Sequence, residues 1–226
     1  MYNTILELKN VDFSYNSKKI FEKTDLEINE GEFAFLVGES GIGKTTLLKL
    51  FYFDLFPVSG TVKFDKYDSN TLDRTDIPII RRKIGIVFQD FKLLNDRNVL
   101  ENIALPLYIA GEKGETVRRK VFEVGSLVGL MNRLNEMPYD ISGGEQQRVA
   151  IARSIVNDPL FLIADEPTGN LDPFIAMDII KLLMKINMKG TTVIVATHNF
   201  EIVKRFQNRR IIQIKEHNLY DVRIKT

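Results

Sequence analysis

Gly38-Glu39-Ser40-Gly41-Ile42-Gly43-Lys44-Thr45 follows the apolar run Phe33-Ala34-Phe35-Leu36-Val37 and opens onto the helix-like segment Thr46-Leu47-Leu48-Lys49-Leu50. Strand, glycine-rich turn and helix start come in the order in which G-x-x-x-x-G-K-[ST] forms a phosphate-cradling loop. A triphosphate needs backbone N–H groups aimed inward and a chain that can pass close to it; Gly38, Gly41 and Gly43 supply that freedom. A helix starting near Lys44 turns its unsatisfied N–H groups and the positive end of its dipole toward the same anion. The Lys44 ammonium then reaches the β and γ phosphates, and Thr45 is placed to ligate Mg²⁺. Average residue usage makes the pattern a chance event in roughly one unrelated chain of this length in a hundred. The flanking strand and helix lower that figure, so nucleotide binding is the expectation that the rest of the chain refines.

At 226 residues, 44% of them hydrophobic, the chain can bury one good core and a subdomain, which fits a single α/β unit. Lys plus Arg total 31 against 30 for Asp plus Glu, so no strong field gathers nucleic acid. There is no cysteine, hence no disulfide and no thiolate metal site, as suits a reducing compartment. The start, Met1-Tyr2-Asn3-Thr4-Ile5-Leu6-Glu7, lacks the basic-then-apolar pattern of a signal peptide. Apolar runs such as Leu160 to Ala164 and Val193 to Ala196 are strand-sized, far short of the ~20 residues that span a bilayer. Any membrane role has to come through a partner.

Residues 4 to 15 read as a strand, with alternation in Val11-Asp12-Phe13-Ser14-Tyr15, and Asn16-Ser17-Lys18-Lys19 as a turn. Further strands are expected at Ile20 to Ile28, Phe33 to Val37, Thr61 to Asp65, Ile84 to Gln89, Phe161 to Asp165, Thr192 to Thr197 and Arg210 to Ile214. The runs at 33, 84, 161 and 192 look buried on both faces, as central strands of a parallel sheet are. Between 98 and 158 the spacing turns helical: Val99, Ile103 and Leu107, then Val117, Val121, Val124 and Val128, then Val149 and Ile155. This stretch reads as a helical subdomain set into an α/β core.

Leu160-Phe161-Leu162-Ile163-Ala164 is an apolar strand that ends in two carboxylates, Asp165 and Glu166. Behind a phosphate-binding loop, a strand-end Asp orients Mg²⁺ and its waters, and a following Glu can polarise the attacking water. His198 closes the run Val193-Ile194-Val195-Ala196-Thr197, at the end of a parallel strand where side chains face nucleotide. Ile141-Ser142-Gly143-Gly144-Glu145-Gln146-Gln147-Arg148 is a Ser-Gly-Gly turn that opens a helix, and so a second anion-binding helix N-terminus.

Taken together, these segments resemble the ATP-binding-cassette ATPases over essentially the whole chain. Gly38 to Thr45 matches Walker A, and Thr46 continues the phosphate contacts; Gln89 in Val87-Phe88-Gln89-Asp90 matches the Q-loop. Ile141 to Glu145 matches the family signature, and Leu162 to Asp165 with Glu166 matches Walker B and the catalytic glutamate. Gly169-Asn170-Leu171-Asp172 matches the D-loop and His198 the switch histidine, while Tyr15 lies where the family stacks an aromatic ring on adenine. The resemblance implies a P-loop NTPase core with a parallel sheet, an N-terminal antiparallel β part and an inserted α-helical subdomain. The whole is one domain over 1–226, with the core at about 1–90 and 159–226 and the subdomain at about 91–158.

It also implies roles. Glu39, Ser40, Gly41, Ile42 and Gly43 line the phosphates, and Lys44, Gln89, Glu166 and His198 serve turnover. Thr45 and Gln89, with Asp165 through water, hold Mg²⁺. A head-to-tail homodimer is implied, in which Ser142, Gly143, Gly144 and Glu145 of one cassette meet the ATP of the other and Asp172 of the D-loop lies nearby.

Two departures stand out: Ile141 and Glu145 replace the Leu and Gln of the commonest signature, and Gly169 replaces a frequent Ser. Ser142, Gly143 and Gly144, the groups that would touch phosphate, are retained. Within the family, Phe88 to Val99 is similar to the cell-division branch. Lipoprotein-release and macrolide-export relatives tend to carry a histidine-containing stretch, Leu-Leu-Pro and a Leu-Thr-Ala run there, where this chain has Asp90-Phe91-Lys92 and Asp96-Arg97-Asn98-Val99. The branch implies an FtsX-like integral membrane partner that controls peptidoglycan hydrolases, placing the chain at the cytoplasmic face of the plasma membrane. Phe91, Leu93 and Leu94 are the candidate contacts to that partner. Two alternatives stay open: the motor of a lipoprotein-release or macrolide-export transporter, and, less favoured, a soluble nucleic-acid or ribosome module, whose family members usually carry two cassettes in one chain or a long coiled-coil insertion that this sequence lacks.

Overall fold

The computed structural model describes residues 3–222. Its elements in chain order are β1 (Thr4–Tyr15), β2 (Lys18–Asn29), β3 (Phe33–Val37), α1 (Lys44–Phe51), β4 (Ser59–Phe64), β5 (Tyr67–Asp68), α2 (Ile77–Arg82) and β6 (Ile84–Val87). They continue with α3 (Val99–Ile109), α4 (Gly114–Val128), α5 (Gly143–Ile155), β7 (Phe161–Asp165), α6 (Pro173–Asn187), β8 (Thr192–Thr197), α7 (Phe200–Lys204), β9 (Arg210–Lys215) and β10 (Asn218–Val222).

Six strands make one sheet in the order β10-β9-β3-β8-β7-β6, parallel except for β10. Successive side chains on a strand face opposite ways. Phe33, Phe35 and Val37 therefore join one apolar cluster with Leu162, Ala164, Val193 and Val195. Ala34 and Leu36 join the other, with Phe161, Ile163, Ile194 and Ala196. Helices α3 to α6 close the first cluster. The second is closed by α1 and by the antiparallel sheet β2-β1-β4-β5. A sheet covered on both faces needs apolar residues at every position, which is why β3, β7 and β8 read as unbroken apolar runs.

The architecture is the expected α/β core with an antiparallel N-terminal part and inserted helices. Three local expectations are corrected. The run at 84 is an edge strand: β6 pairs only with β7 among the described strands. It reads as central because α5 lies against it so closely that a Cβ on Gly85 would fall 2.3 Å from the Ser154 carbonyl oxygen. β6 also stops at Val87, leaving Gln89 in a loop. The turn after β1 is two residues, Asn16-Ser17, so Lys18 belongs to β2 and pairs with Tyr15.

Helix α6 and the short α2 and α7, absent from the strand-centred reading above, each follow a side-chain or proline start signal. Asp172 caps α6 by accepting from the N–H groups of Phe174 and Ile175 at 2.9 and 3.1 Å. Asn98 and Glu101 form a capping box on α3. Asn102, fully buried, donates to the carbonyls of Leu94, Arg97 and Asn98 and accepts from the Leu94 N–H. That single amide fixes the loop between Gln89 and α3.

Candidate nucleotide site

At the carboxyl ends of β3, β7 and β8 lies a cavity of about 330 Å³. The P-loop forms one wall with Ser40, Gly41, Gly43, Lys44, Thr45 and Thr46; Gln89, Asp165, Glu166 and His198 face it. Gly43 is irreplaceable on two counts. Its φ is +121°, and a Cβ there would stand 2.8 Å from Ile20 Cγ2. Ile42 packs against the apolar cluster below, and its N–H donates to the Glu39 carbonyl at 3.3 Å, closing the loop on itself. Gly38 and Glu39 take part through their carbonyls, which accept from Lys44 Nζ at 2.9 and 3.1 Å. The Lys44 ammonium is thereby held in place, 7% exposed, without a carboxylate closer than Glu166 at 3.4 Å.

Thr45 Oγ1 donates to Asp165 Oδ2 at 2.7 Å. Burial pushes the Asp165 carboxyl above the ordinary range, the Thr45 hydroxyl opposes that, and the neighbouring Glu166 adds to it. This hydroxyl and carboxylate, side by side at the cavity wall, offer the hard oxygens that would suit Mg²⁺.

Glu166 is 8% exposed and sits at φ 47°, a left-handed conformation that costs a non-glycine residue about 1–2 kcal/mol. Its N–H donates to the Ala196 carbonyl at 2.9 Å, which holds the strained residue at the junction of β7 and β8. One carboxylate oxygen lies 2.8 Å from His198 Nδ1. Glu166, His198 and Lys44 therefore form one connected group facing the cavity.

Tyr15 lines the mouth of the cavity, 44% exposed and steadied edge-to-face by Phe13 at 5.0 Å. An exposed ring held at a fixed angle can stack on a planar base. Lys18 and Ile20, not singled out in the sequence, join it there. The sequence signal for Lys18 is its two-residue separation from Tyr15 across a tight turn.

The signature turn does not line this cavity. Ser142 caps α5 in a capping box with Glu145. The Ser142 hydroxyl donates to Glu145 Oε2 at 2.7 Å, and Arg133 Nε donates to Glu145 Oε1 at 2.9 Å. These bonds hold the Glu145 carboxyl below its ordinary range, those of Ser142 contributing most. Gly143 lies beside Leu171 of the D-loop, and a Cβ on Gly144 would press on Ile175 of α6, so signature and D-loop are packed as one block. Asp172 is spent on capping α6.

Of the three partner-contact candidates, Phe91 and Leu93 pack against the first apolar cluster, and Leu94 is 38% exposed. Beside them a groove of about 500 Å³ runs between α2, β6, α3 and α5, with Phe88 and Lys92 in its wall.

The ABC transporter family pattern matches residues 21–169, and the chain belongs to that family. It is an ATP-binding cassette that hydrolyses ATP. Its similarity to curated proteins runs to the cell division ATP-binding protein FtsE of Bacillus subtilis, 46% identical over 94% of this chain and 93% of that one. The FtsE of Escherichia coli is 40% identical over 96% and 97% of the two chains. Among solved structures, the post-hydrolysis dimer of the cassette MJ0796 bound to ADP and Pi superposes with a TM-score of 0.84, at 35% identity over 98% of this chain and 99% of that one. CbiO1 of Clostridium perfringens, part of the transporter complex cbiONQ, gives 0.88 at 30% identity over 96% and 87%.

Proposed function

We propose that this chain is the ATP-driven subunit of a bacterial cell-division complex, working as a homodimer of cassettes on an FtsX-like integral membrane subunit at the cytoplasmic face of the membrane. The observation that carries it is the division of the site. One chain gathers Lys44, Thr45, Gln89, Asp165, Glu166 and His198 around one cavity, yet its signature turn lies outside it. A second cassette is needed to bring Ser142, Gly143 and Gly144 over the triphosphate. The relatives named for cell division, at 40–46% identity over nearly full length, support the biological setting.

In this reading Tyr15 stacks the adenine, and the P-loop N–H groups and Lys44 hold the phosphates. Thr45 and Asp165, with Gln89, would hold Mg²⁺, which would neutralise charge on the phosphate oxygens. Glu166 accepts the proton of the attacking water as the water oxygen bonds to the γ phosphorus and the bond to ADP breaks. His198, 2.8 Å from the Glu166 carboxylate, keeps that base oriented. To take the dimer from 1:99 to 99:1 closed, ATP must favour the closed form by about 5.5 kcal/mol. Charge-assisted bonds from two phosphate clamps are of that order. Hydrolysis removes the bridging γ phosphate and the dimer reopens, moving the membrane subunit.

The test is co-purification and depletion. The tagged protein, extracted from membranes in mild detergent, should bring down an FtsX-like subunit in stoichiometric amount, and depletion should leave cells unable to separate. Recovery of a lipoprotein-release or drug-export permease instead would refute the assignment.

A further inference from the structure

Phe174 is 86% exposed, more than any other large apolar side chain among the described residues. Single apolar residues on a surface are ordinary. Two features set this one apart. Its backbone is fixed: it follows Pro173, and its N–H donates to Asp172 Oδ1 at 2.9 Å in the cap of α6. It also stands two residues past the D-loop, which joins the two halves of the nucleotide site. A Cβ on Gly169 would fall 3.4 Å from Gln89 Nε2 and 3.5 Å from the Glu166 carbonyl oxygen, at the edge of the cavity. Toward the other end of the loop, Leu171 Cδ2 lies 3.7 Å from where a Cβ on Gly143 of the signature turn would stand. The D-loop thus spans the ground between the cavity and the signature of one chain.

These distances locate the symmetry axis of a pair. In a two-fold dimer each cavity receives the signature of the other copy, so the axis runs midway between cavity and signature, beside the D-loop. Residues near the axis meet their own counterparts. We infer that Phe174 meets the same residue of a second copy at this axis, and that the two rings form an apolar pivot on which the dimer reopens without parting. The inference rests on the homodimer reading above and adds where the copies stay joined. Contacts between the signature and the triphosphate depend on the γ phosphate and end with hydrolysis. A contact between rings has no such dependence, since it derives from water released from both apolar surfaces. A contact on the axis can persist through a symmetric opening, because both copies turn away from it equally. One pair of rings is too small to hold free cassettes together. It is enough where a membrane subunit already keeps both copies at high effective concentration.

The chain has no cysteine, so a single introduced thiol reports one position. Membranes from cells in which Phe174→Cys replaces the native copy are treated with a mild oxidant, with Mg-ATP and without nucleotide, and the disulfide dimer is measured. It should form in both states, in amounts within about twofold of each other. Met188→Cys, 75% exposed but at the far end of α6, about 20 Å away, should give none. The cross-linked complex should keep turnover within about twofold of the reduced form. Phe174→Asp places a carboxylate in the first turn of α6, where the helix dipole favours it, so the variant should fold and bind Mg-ATP as the wild type does. It should raise the Mg-ATP concentration for half-maximal turnover at least about fivefold, with Phe174→Leu within about twofold of wild type. Four results would each overturn the inference and leave the homodimer reading intact. These are no Phe174→Cys cross-link in a protein that dimerises with Mg-ATP, a cross-link confined to Mg-ATP, turnover lost on cross-linking and regained on reduction, and an unchanged half-maximal concentration with Phe174→Asp. If the wild type forms no dimer with Mg-ATP, both fall.

Discussion

Glu166→Gln should convert this enzyme into a trapped dimer, and the structure sets the size of the effect. The side chain is 8% exposed, with one oxygen 2.8 Å from His198 Nδ1 and 3.4 Å from Lys44 Nζ. An amide of the same shape keeps an acceptor for either neighbour, so the local packing and the left-handed backbone at this residue have no reason to change. What is lost is the capacity to take the proton of the attacking water. General-base help is worth ~10²–10⁴ in rate, about 2.7–5.5 kcal/mol of barrier. Binding moves the other way. Removing one negative charge next to Asp165 and Lys44 lowers the repulsion felt by an incoming triphosphate, so ATP affinity should hold or rise. The assay is phosphate release under saturating Mg-ATP, paired with size-exclusion chromatography in the same buffer. Turnover should fall at least about a hundredfold, and the variant should elute as a dimer with Mg-ATP. Turnover within about threefold of wild type would refute the role of Glu166 as base. A variant that stays monomeric while the wild type dimerises would refute the trapped-dimer argument.

Lys44→Ala should abolish measurable Mg-ATP binding by isothermal titration, because no other cation is held inside the P-loop wall; wild-type affinity would contradict the phosphate assignment. Asp165→Asn should raise the melting temperature of the nucleotide-free protein, since it removes a charge that burial and Glu166 both disfavour while keeping an acceptor for Thr45, and should lose Mg²⁺-dependent turnover. A lowered melting temperature would show that the buried charge is compensated by something else. Glu145→Ala should lower stability through loss of the capping box and of the Arg133 contact. Because folding depresses the Glu145 pKa, that stability is present above the unfolded value, about pH 4.3, and is lost as pH falls through the folded one. The denaturation curves of the wild type and of the Glu145→Ala variant should therefore converge at low pH; a gap of constant size down to about pH 2 would mean that the carboxylate charge plays no part.

The sequence alone determined the fold class, the sheet-forming runs and most of the candidate site, because those features are written in local chemistry. A P-loop is eight consecutive residues, and a catalytic carboxylate pair sits at the end of one apolar strand. Both survive being read one segment at a time. The helices of the 98–158 stretch are legible from spacing, and α6 carries equally plain marks in Asp172-Pro173 and a helical apolar period. Only the tertiary structure could decide how distant segments meet. Tyr15 and Lys18 face the P-loop because a two-residue turn sets the β1–β2 register. Ile84 to Val87 looks central yet is an edge strand, since a helix packed on a face buries residues as well as a neighbouring strand does. The signature turn is excluded from its own cavity by its packing on the D-loop and α6. Phe91 and Leu93 turn inward, and the groove beside them gathers side chains from α2, β6, α3 and α5. Burial depends on the side chains that arrive from elsewhere in the chain, and no window of sequence contains them.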